Sequence, residues 1–246
     1  MSDSNTLYHE VCNINDTYFV HKANVNINNG FYNDESLICF NINNNTTETI
    51  FNISYNTYAD KNKYPNILDM KIHDNKLFLI VIPIDNKNIM QLITIDKNHK
   101  QYTRNINLNL NSDQIFSATY NKKLDTILYT TFTGDVYKID ESNTILKLNK
   151  NHQYTNQKAC LLDNGDIYIS HTLNNCIYKL TNGEFIPVIK NVIANSISCN
   201  NNYLVVCDSF SNSIKLYAVN EDNIEPAQTI ETILYSQKLS LSIIFT

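Results

Sequence analysis

The chain has 246 residues, 43% hydrophobic and 17% charged, with a formal net charge of −5; that is enough apolar material for a core and too little charge for a disordered acidic tail. The lysines are scattered and Arg104 is the only arginine, so the basic stripe of a nucleic-acid binder is missing. No run approaches the ~20 apolar residues that span a bilayer, and the opening "MSDSNTLYHE" lacks a charged segment followed by an apolar one, which sets the expectation of a soluble, cytoplasmic protein.

In chain order the predicted elements are strands, grouped in copies of one unit. The first group covers residues 7–54 and carries the run "TYFVH" (17–21), interrupted by "KANVNINNGFYND", which reads as an inserted loop over residues 22–36. A second inserted loop over residues 54–64, "SYNTYADKNKY", leads into the second group (65–108) with "LFLIV" (77–81). The third group (114–149) carries "ILYTT" (127–131), the fourth (157–190) "IYISH" (167–171) and the fifth (194–231) "LVVCD" (204–208). In the fourth group the full order is visible: "KACLL", "DNG", "DIYISHT", "LNN", "CIYKL", "TNGE", "FIPVI". Short runs rich in β-branched and aromatic residues, bounded by Asn, Asp and Gly, are strands joined by hairpin turns. The tail over residues 232–246 supplies a partial further group or a pair of closing strands, or follows a truncation.

Self-similarity with four strands per copy, at spacings near the ~40–50 residues of a propeller blade, predicts an all-β, single-domain β-propeller over residues 1–246. The expected blade number is five plus a partial sixth, with a closed five-bladed ring as the alternative. Only four glycines serve all these turns, whereas there are 41 asparagines. Asn tolerates φ > 0 better than most residues and is expected to take left-handed turn positions in this Asn-rich chain. Six cysteines without a C-x-x-C pair are not a disulfide framework and read as free thiols. The four N-x-[ST] triplets at Asn15, Asn44, Asn45 and Asn52 are what chance gives in such a composition.

At "NSISCNNNYLVVCDSFSNSIKLY" the fifth group resembles the blade motif of NHL-repeat and gluconolactonase (senescence-marker-protein)-like six-bladed propellers. Asn195 matches the motif Asn, Asp208 the Asp that ends the second strand, and Ile214 the apolar residue of the third; "LLDNGDIYISHTLNNCIYKL" is similar, with His171 in place of that Asp. The resemblance implies a divalent metal held by a Glu, two Asn and an Asp, with Asn195 and Asn156 at the Asn positions and Glu10 at the Glu position. An oxygen-only site of this kind suits Ca or Mg. Two departures stand against it. "VCNIND" follows Glu10 where the family has Pro and Trp, and no "PDG" turn supplies the Asp.

His21, His171 and Asp208 align near the ends of second strands and are candidates to line a shared binding mouth, although buried polar groups of this kind commonly bond the loop that follows. Tyr55, Tyr58 and Tyr64 cluster in the second inserted loop, where aromatics could anchor a partner. No G-x-S-x-G, H-E-x-x-H, P-loop or EF-hand motif is present. The leading expectation is therefore a non-enzymatic binding scaffold that takes a protein or small ligand through the loops at 22–36 and 54–64. A metal-dependent hydrolase with an incomplete site is the alternative, and a decayed paralogue without a site is the third reading.

Overall fold

The structure, a computed structural model, describes residues 4–14, 16–26, 28, 32–54, 66–83, 86, 88–96, 98–108, 115–149, 158–171, 173–200, 202–220 and 223–231. These residues form five four-stranded sheets, each with its strands in chain order and antiparallel. Sheet 1 comprises β1 (Ser4–Ile14), β2 (Thr17–Asn26), β3 (Tyr32–Asn41) and β4 (Thr46–Ser54). Sheet 2 comprises β5 (Ile67–His73), β6 (Lys76–Val81), β7 (Ile89–Ile95) and β8 (Gln101–Asn107). Sheet 3 holds β9 (Ile115–Asn121), β10 (Thr126–Thr131), β11 (Val136–Ile139) and β12 (Ile145–Lys147). Sheet 4 holds β13 (Lys158–Leu161), β14 (Ile167–His171), β15 (Cys176–Thr181) and β16 (Glu184–Lys190), and sheet 5 holds β17 (Ala194–Asn200), β18 (Tyr203–Asp208), β19 (Ser213–Asn220) and β20 (Asn223–Glu231).

Two compact units divide the chain, one ending at Asn107 with sheets 1 and 2, the other starting at Leu108 with sheets 3 to 5. No helix among the described residues is long and apolar enough to cross a membrane. All six cysteines are free thiols. The tail over 232–246 lies outside the described residues.

Asparagine and aspartate chemistry closes the hairpins. Asp74 and Asn75 join β5 to β6 with φ of 50° and 55°, and Asn182 and Gly183 join β15 to β16 with φ of 53° and 82°. Positive φ at both central residues matches the right-handed twist of the flanking strands. A second device occurs twice. Asp96 Oδ1 accepts the backbone N–H of Asn98 and Lys100 at 2.8 and 3.0 Å, with His99 at φ 60°; Asp140 Oδ1 accepts those of Ser142 and Thr144 at 3.0 and 2.9 Å, with Asn143 at φ 64°.

The core explains why the strand runs are nearly continuous in apolarity. In the second unit, Ile167 and Ile169 of β14 pack with Leu128 and Val136 of sheet 3, while Tyr168 of the same strand packs with Leu204 and Val206 of sheet 5. Sheet 4 thus buries both faces, and every residue of β14 is buried. Each fully buried aliphatic or aromatic side chain contributes roughly 1.5–3 kcal/mol.

The expected inserted loop over residues 22–36 is corrected. β2 and β3 are ten residues each and run on through most of it, pairing Ala23 with Glu35 and Asn24 with Asp34. Side chains of Ala23, Glu35 and Leu37 alternate inward, the period of a strand with one buried face. The second expected loop, with Tyr55, Tyr58 and Tyr64, lies outside the described residues.

Candidate functional site

The end of the second strand is used in the same way in sheets 4 and 5. His171 closes β14, and its Nδ1 accepts the N–H of Asn174 at 2.9 Å, so the neutral ring carries its proton on Nε2. Burial lowers its pKa, as desolvation does for any group that is charged when protonated. The ring meets Tyr178 edge-on, and Asn174 Nδ2 donates to the Tyr178 hydroxyl at 3.1 Å. Asp208 closes β18 and is buried. Its Oδ1 accepts the N–H groups of Ile193 and Phe210, both at 3.0 Å, and its Oδ2 accepts from Ser211 Oγ at 2.7 Å and Lys215 Nζ at 2.6 Å. Burial opposes ionisation of Asp208, but the hydrogen bonds from Lys215, Ser211, Ile193 and Phe210 outweigh it and hold the carboxyl below the usual aspartate range.

His21 does not share this arrangement. In sheet 5, Ala194 pairs with Asp208 and Ser196 with Cys207, so Asn195 is the extra residue of a β-bulge. In sheet 1 the bulge lies between Tyr8 and Glu10, which pair with Lys22 and His21. Measured from the bulge, Lys22 corresponds to Asp208 and His21 to Cys207. One residue along a strand reverses the face. The packing agrees: Val206 packs with Tyr168 of the preceding sheet and Asp208, two residues on, shares its face, whereas His21 Nε2 lies 2.9 Å from Glu35 Oε2, and Glu35 also accepts the N–H groups of Asn66 at 2.7 Å and Ile67 at 3.3 Å, at the start of the following sheet.

Glu35 is a residue the sequence reading missed. It is fully buried, and through it the third strand of sheet 1 holds the first strand of sheet 2. The signal was an acid in period-two alignment with Leu37 and Cys39, hidden because this segment read as loop.

Of the three residues aligned with metal ligands, the structure places the backbone of two. Glu10 lies in β1 opposite His21, and Asn195 is the bulge residue of β17; their side chains, and Asn156 altogether, lie outside the described residues. Among the described residues no group of three or more His, Cys, Asp or Glu side chains converges as metal ligands do. No metal-dependent step is derived from this donor set.

What His171 and Asp208 brace is a pair of turn tips. Leu173 and Phe210 sit in the four-residue turns that follow β14 and β18, with 78% and 75% of their surface exposed. Both turns are bonded to the same short connector between sheets 4 and 5. Val192 N donates to Asn175 O at 3.1 Å, while Ser209 N donates to Ile193 O at 3.0 Å and Ile193 N to Asp208. The two turns therefore lie at the same end of the second unit, where that connector runs. Asn175 and Asn212 end the turns at φ 52° and 47°. The exposed neighbours Asn174, Asn191, Ser209, Ser211 and Asn212 are uncharged, with Lys190 the charged one.

No family model matches the chain, and no curated protein is similar to it in sequence. Solved structures are similar in fold. Virginiamycin B lyase from Staphylococcus aureus matches with a TM-score of 0.55 and 11% identity over 94% of this chain and 74% of that one. A chain of a nidogen–laminin complex matches with a TM-score of 0.57 and 7% identity over 89% and 77%. Puromycin hydrolase matches with a TM-score of 0.57 and 8% identity over 93% of this chain and 38% of that one. At such identities the likeness shows the fold alone, which, with five repeated four-stranded sheets, is that of a β-propeller.

Proposed function

We propose that this propeller is a non-enzymatic binding module that docks a protein partner on the turn tips carrying Leu173 and Phe210. The observation behind it is a division of labour at the second-strand ends. The groups capable of chemistry, His171 and Asp208, spend their hydrogen bonds on holding the turns. The turns in exchange present a large aliphatic and a large aromatic side chain to solvent. Apolar anchors of this kind, set among uncharged polar groups, are what the centre of a protein interface uses. The likeness to a chain of a nidogen–laminin complex supports a protein partner for this fold, while the likenesses to a lyase and a hydrolase leave room for an enzyme.

The test is site-specific photo-crosslinking in cells, with the reactive side chain placed at 173, at 210 and at Asn164, an exposed control in the turn after β13. A shared crosslinked partner at 173 and 210 and none at 164 supports the proposal. No product at 173 and 210, or equal products at all three, overturns it. The hydrolase alternative rests on Glu10, Asn156 and Asn195, and is tested by metal analysis of purified protein in the presence of Ca or Mg, where it requires stoichiometric metal that is lost in Asn195→Ala.

A further inference from the structure

Two aligned positions brace the two tips with different chemistry. His171 and Asp208 each end a second strand, and each accepts a backbone N–H of the turn that follows, from Asn174 and from Phe210. An aspartate accepts for as long as it is ionised, and the hydrogen bonds on Asp208 hold its carboxyl below the usual range. That brace persists through mild acid. An imidazole accepts only while one ring nitrogen is bare, whereas imidazolium has two donors and no acceptor. Protonation of His171 puts an N–H on Nδ1, 2.9 Å from the backbone nitrogen that donates to it. Donor then faces donor, and the turn that carries Leu173 loses its bond.

The described charges around the ring favour its neutral form. His171 is 3% exposed and, two residues on from Ile169, which packs with Leu128 and Val136, it faces sheet 3. The β13 residues on this side are apolar. β15 presents Cys176, opposite the ring, and Tyr178, which meets it edge-on at 6.2 Å; Lys190 of β16 lies opposite Cys176. From sheet 3, Lys138 of β11 shares the face of Leu128, its partner in register. The carboxylates of Asp135 and Asp208 are engaged by Lys147 and Lys215, each at 2.6 Å.

We propose that protonation of His171 opens the Leu173 turn while the Phe210 turn stays braced, so that the tips lose their hold on a partner in mild acid. The consequence for binding rests on the reading of these tips as the docking surface; the opening of the turn does not. Burial lowers the pKa of the ring, and the bond from Asn174 favours the same neutral form. The brace is therefore complete above the ordinary imidazole value of ~6.5 and is lost as the pH falls from there through the lower folded value. A histidine where sheet 5 has an aspartate makes one tip answer to pH and leaves the other indifferent.

The test is an NMR titration of the intact, isotope-labelled protein from about pH 7.5 to about pH 4.5, across the imidazole range. His171 Nδ1 and the Asn174 amide should titrate with one midpoint, below that of a free histidine. Protection of the Asn174 amide against hydrogen exchange, corrected for the intrinsic rate, should fall about tenfold, while that of Phe210 changes by less than about twofold. His171→Asn keeps an uncharged acceptor near the place of Nδ1 and should abolish the change at Asn174. If that variant fails to fold, the contrast between Asn174 and Phe210 in the unsubstituted protein decides. A ring that titrates with Asn174 unmoved, a ring that stays neutral throughout, equal loosening at both amides, or an unchanged response in folded His171→Asn overturns the proposal. Photo-crosslinking at 173 in permeabilised cells, at neutral pH and in mild acid, reads the consequence for binding. Loss of the product in acid supports it, and undiminished product beside an opened turn overturns it. No product at either pH overturns the docking reading instead, and the resonances still decide the opening.

Discussion

Asp208 shows how a residue typical of a functional motif can be fully employed by the fold. Four donors converge on a buried carboxyl, and deleting one side of such a cluster strands the others. Asp208→Ala is expected to lower stability by about 3 kcal/mol in denaturant unfolding. The acid dependence has a definite sign. Because the folded pKa is depressed, the contribution of Asp208 is complete above the ordinary aspartate value of ~3.9 and is lost as the pH falls through the folded value. Unfolding of Asp208→Ala should therefore show a shallower decline in acid than the unsubstituted protein; an identical acid limb would mean the carboxyl does not titrate with folding.

Tyr129 is the opposite case. Its ring is fully buried and stacked on Tyr137 at 4.9 Å and 9°, and its hydroxyl has no hydrogen-bond partner among the described residues. Burial pushes its pKa well up. Removing an unsatisfied polar atom while keeping the ring costs nothing in contacts, so Tyr129→Phe is expected to be neutral or stabilising by up to about 1 kcal/mol in thermal unfolding. A clear loss would show that the hydroxyl is bonded after all.

At the scale of elements, sheets 4 and 5 were legible because each signal agreed with the others: short apolar runs, turn residues at hairpin spacing and order repeated along the chain. Asn182 carries the cost of replacing glycine, at φ 53° beside Gly183. Asn182→Ala is expected to destabilise the protein by about 1 kcal/mol, and Asn182→Gly to be nearly neutral, in the same unfolding measurement. Equal behaviour of the two would remove the turn argument.

The hairpin of β2 and β3 was misread as a loop for the same compositional reason. In a chain this rich in Asn, a density of Asn does not separate strand from turn; the signal that does is the alternation of Ala23 and Val25 with polar residues. The placing of His21 beside His171 and Asp208 failed differently. Aligning repeats on their apolar runs cannot see a bulge, and a one-residue error in register turns the side chain to the other face. Glu35 then had no visible partner in the sequence, because its contacts are backbone N–H groups that lie 31 and 32 positions further on.

For the whole molecule, the repeat dictates where variation is tolerated. Both faces of an interior sheet are committed to packing, as sheet 4 shows, which leaves turn tips and outer edges free to differ between blades. The departures from uniformity fall there: apolar tips at Leu173 and Phe210, and an unbroken register of the fourth strand β8 on β7. Glu10, Asn156 and Asn195 remain residues whose metal-binding role rests on resemblance alone.

The most direct measurement is partner capture by the double variant Leu173→Ser, Phe210→Ser, with its thermal unfolding followed in parallel. Both side chains are mostly in solvent, so stability should change by no more than about 0.5 kcal/mol while capture falls by roughly tenfold or more. Undiminished capture by a variant that folds normally would contradict the account.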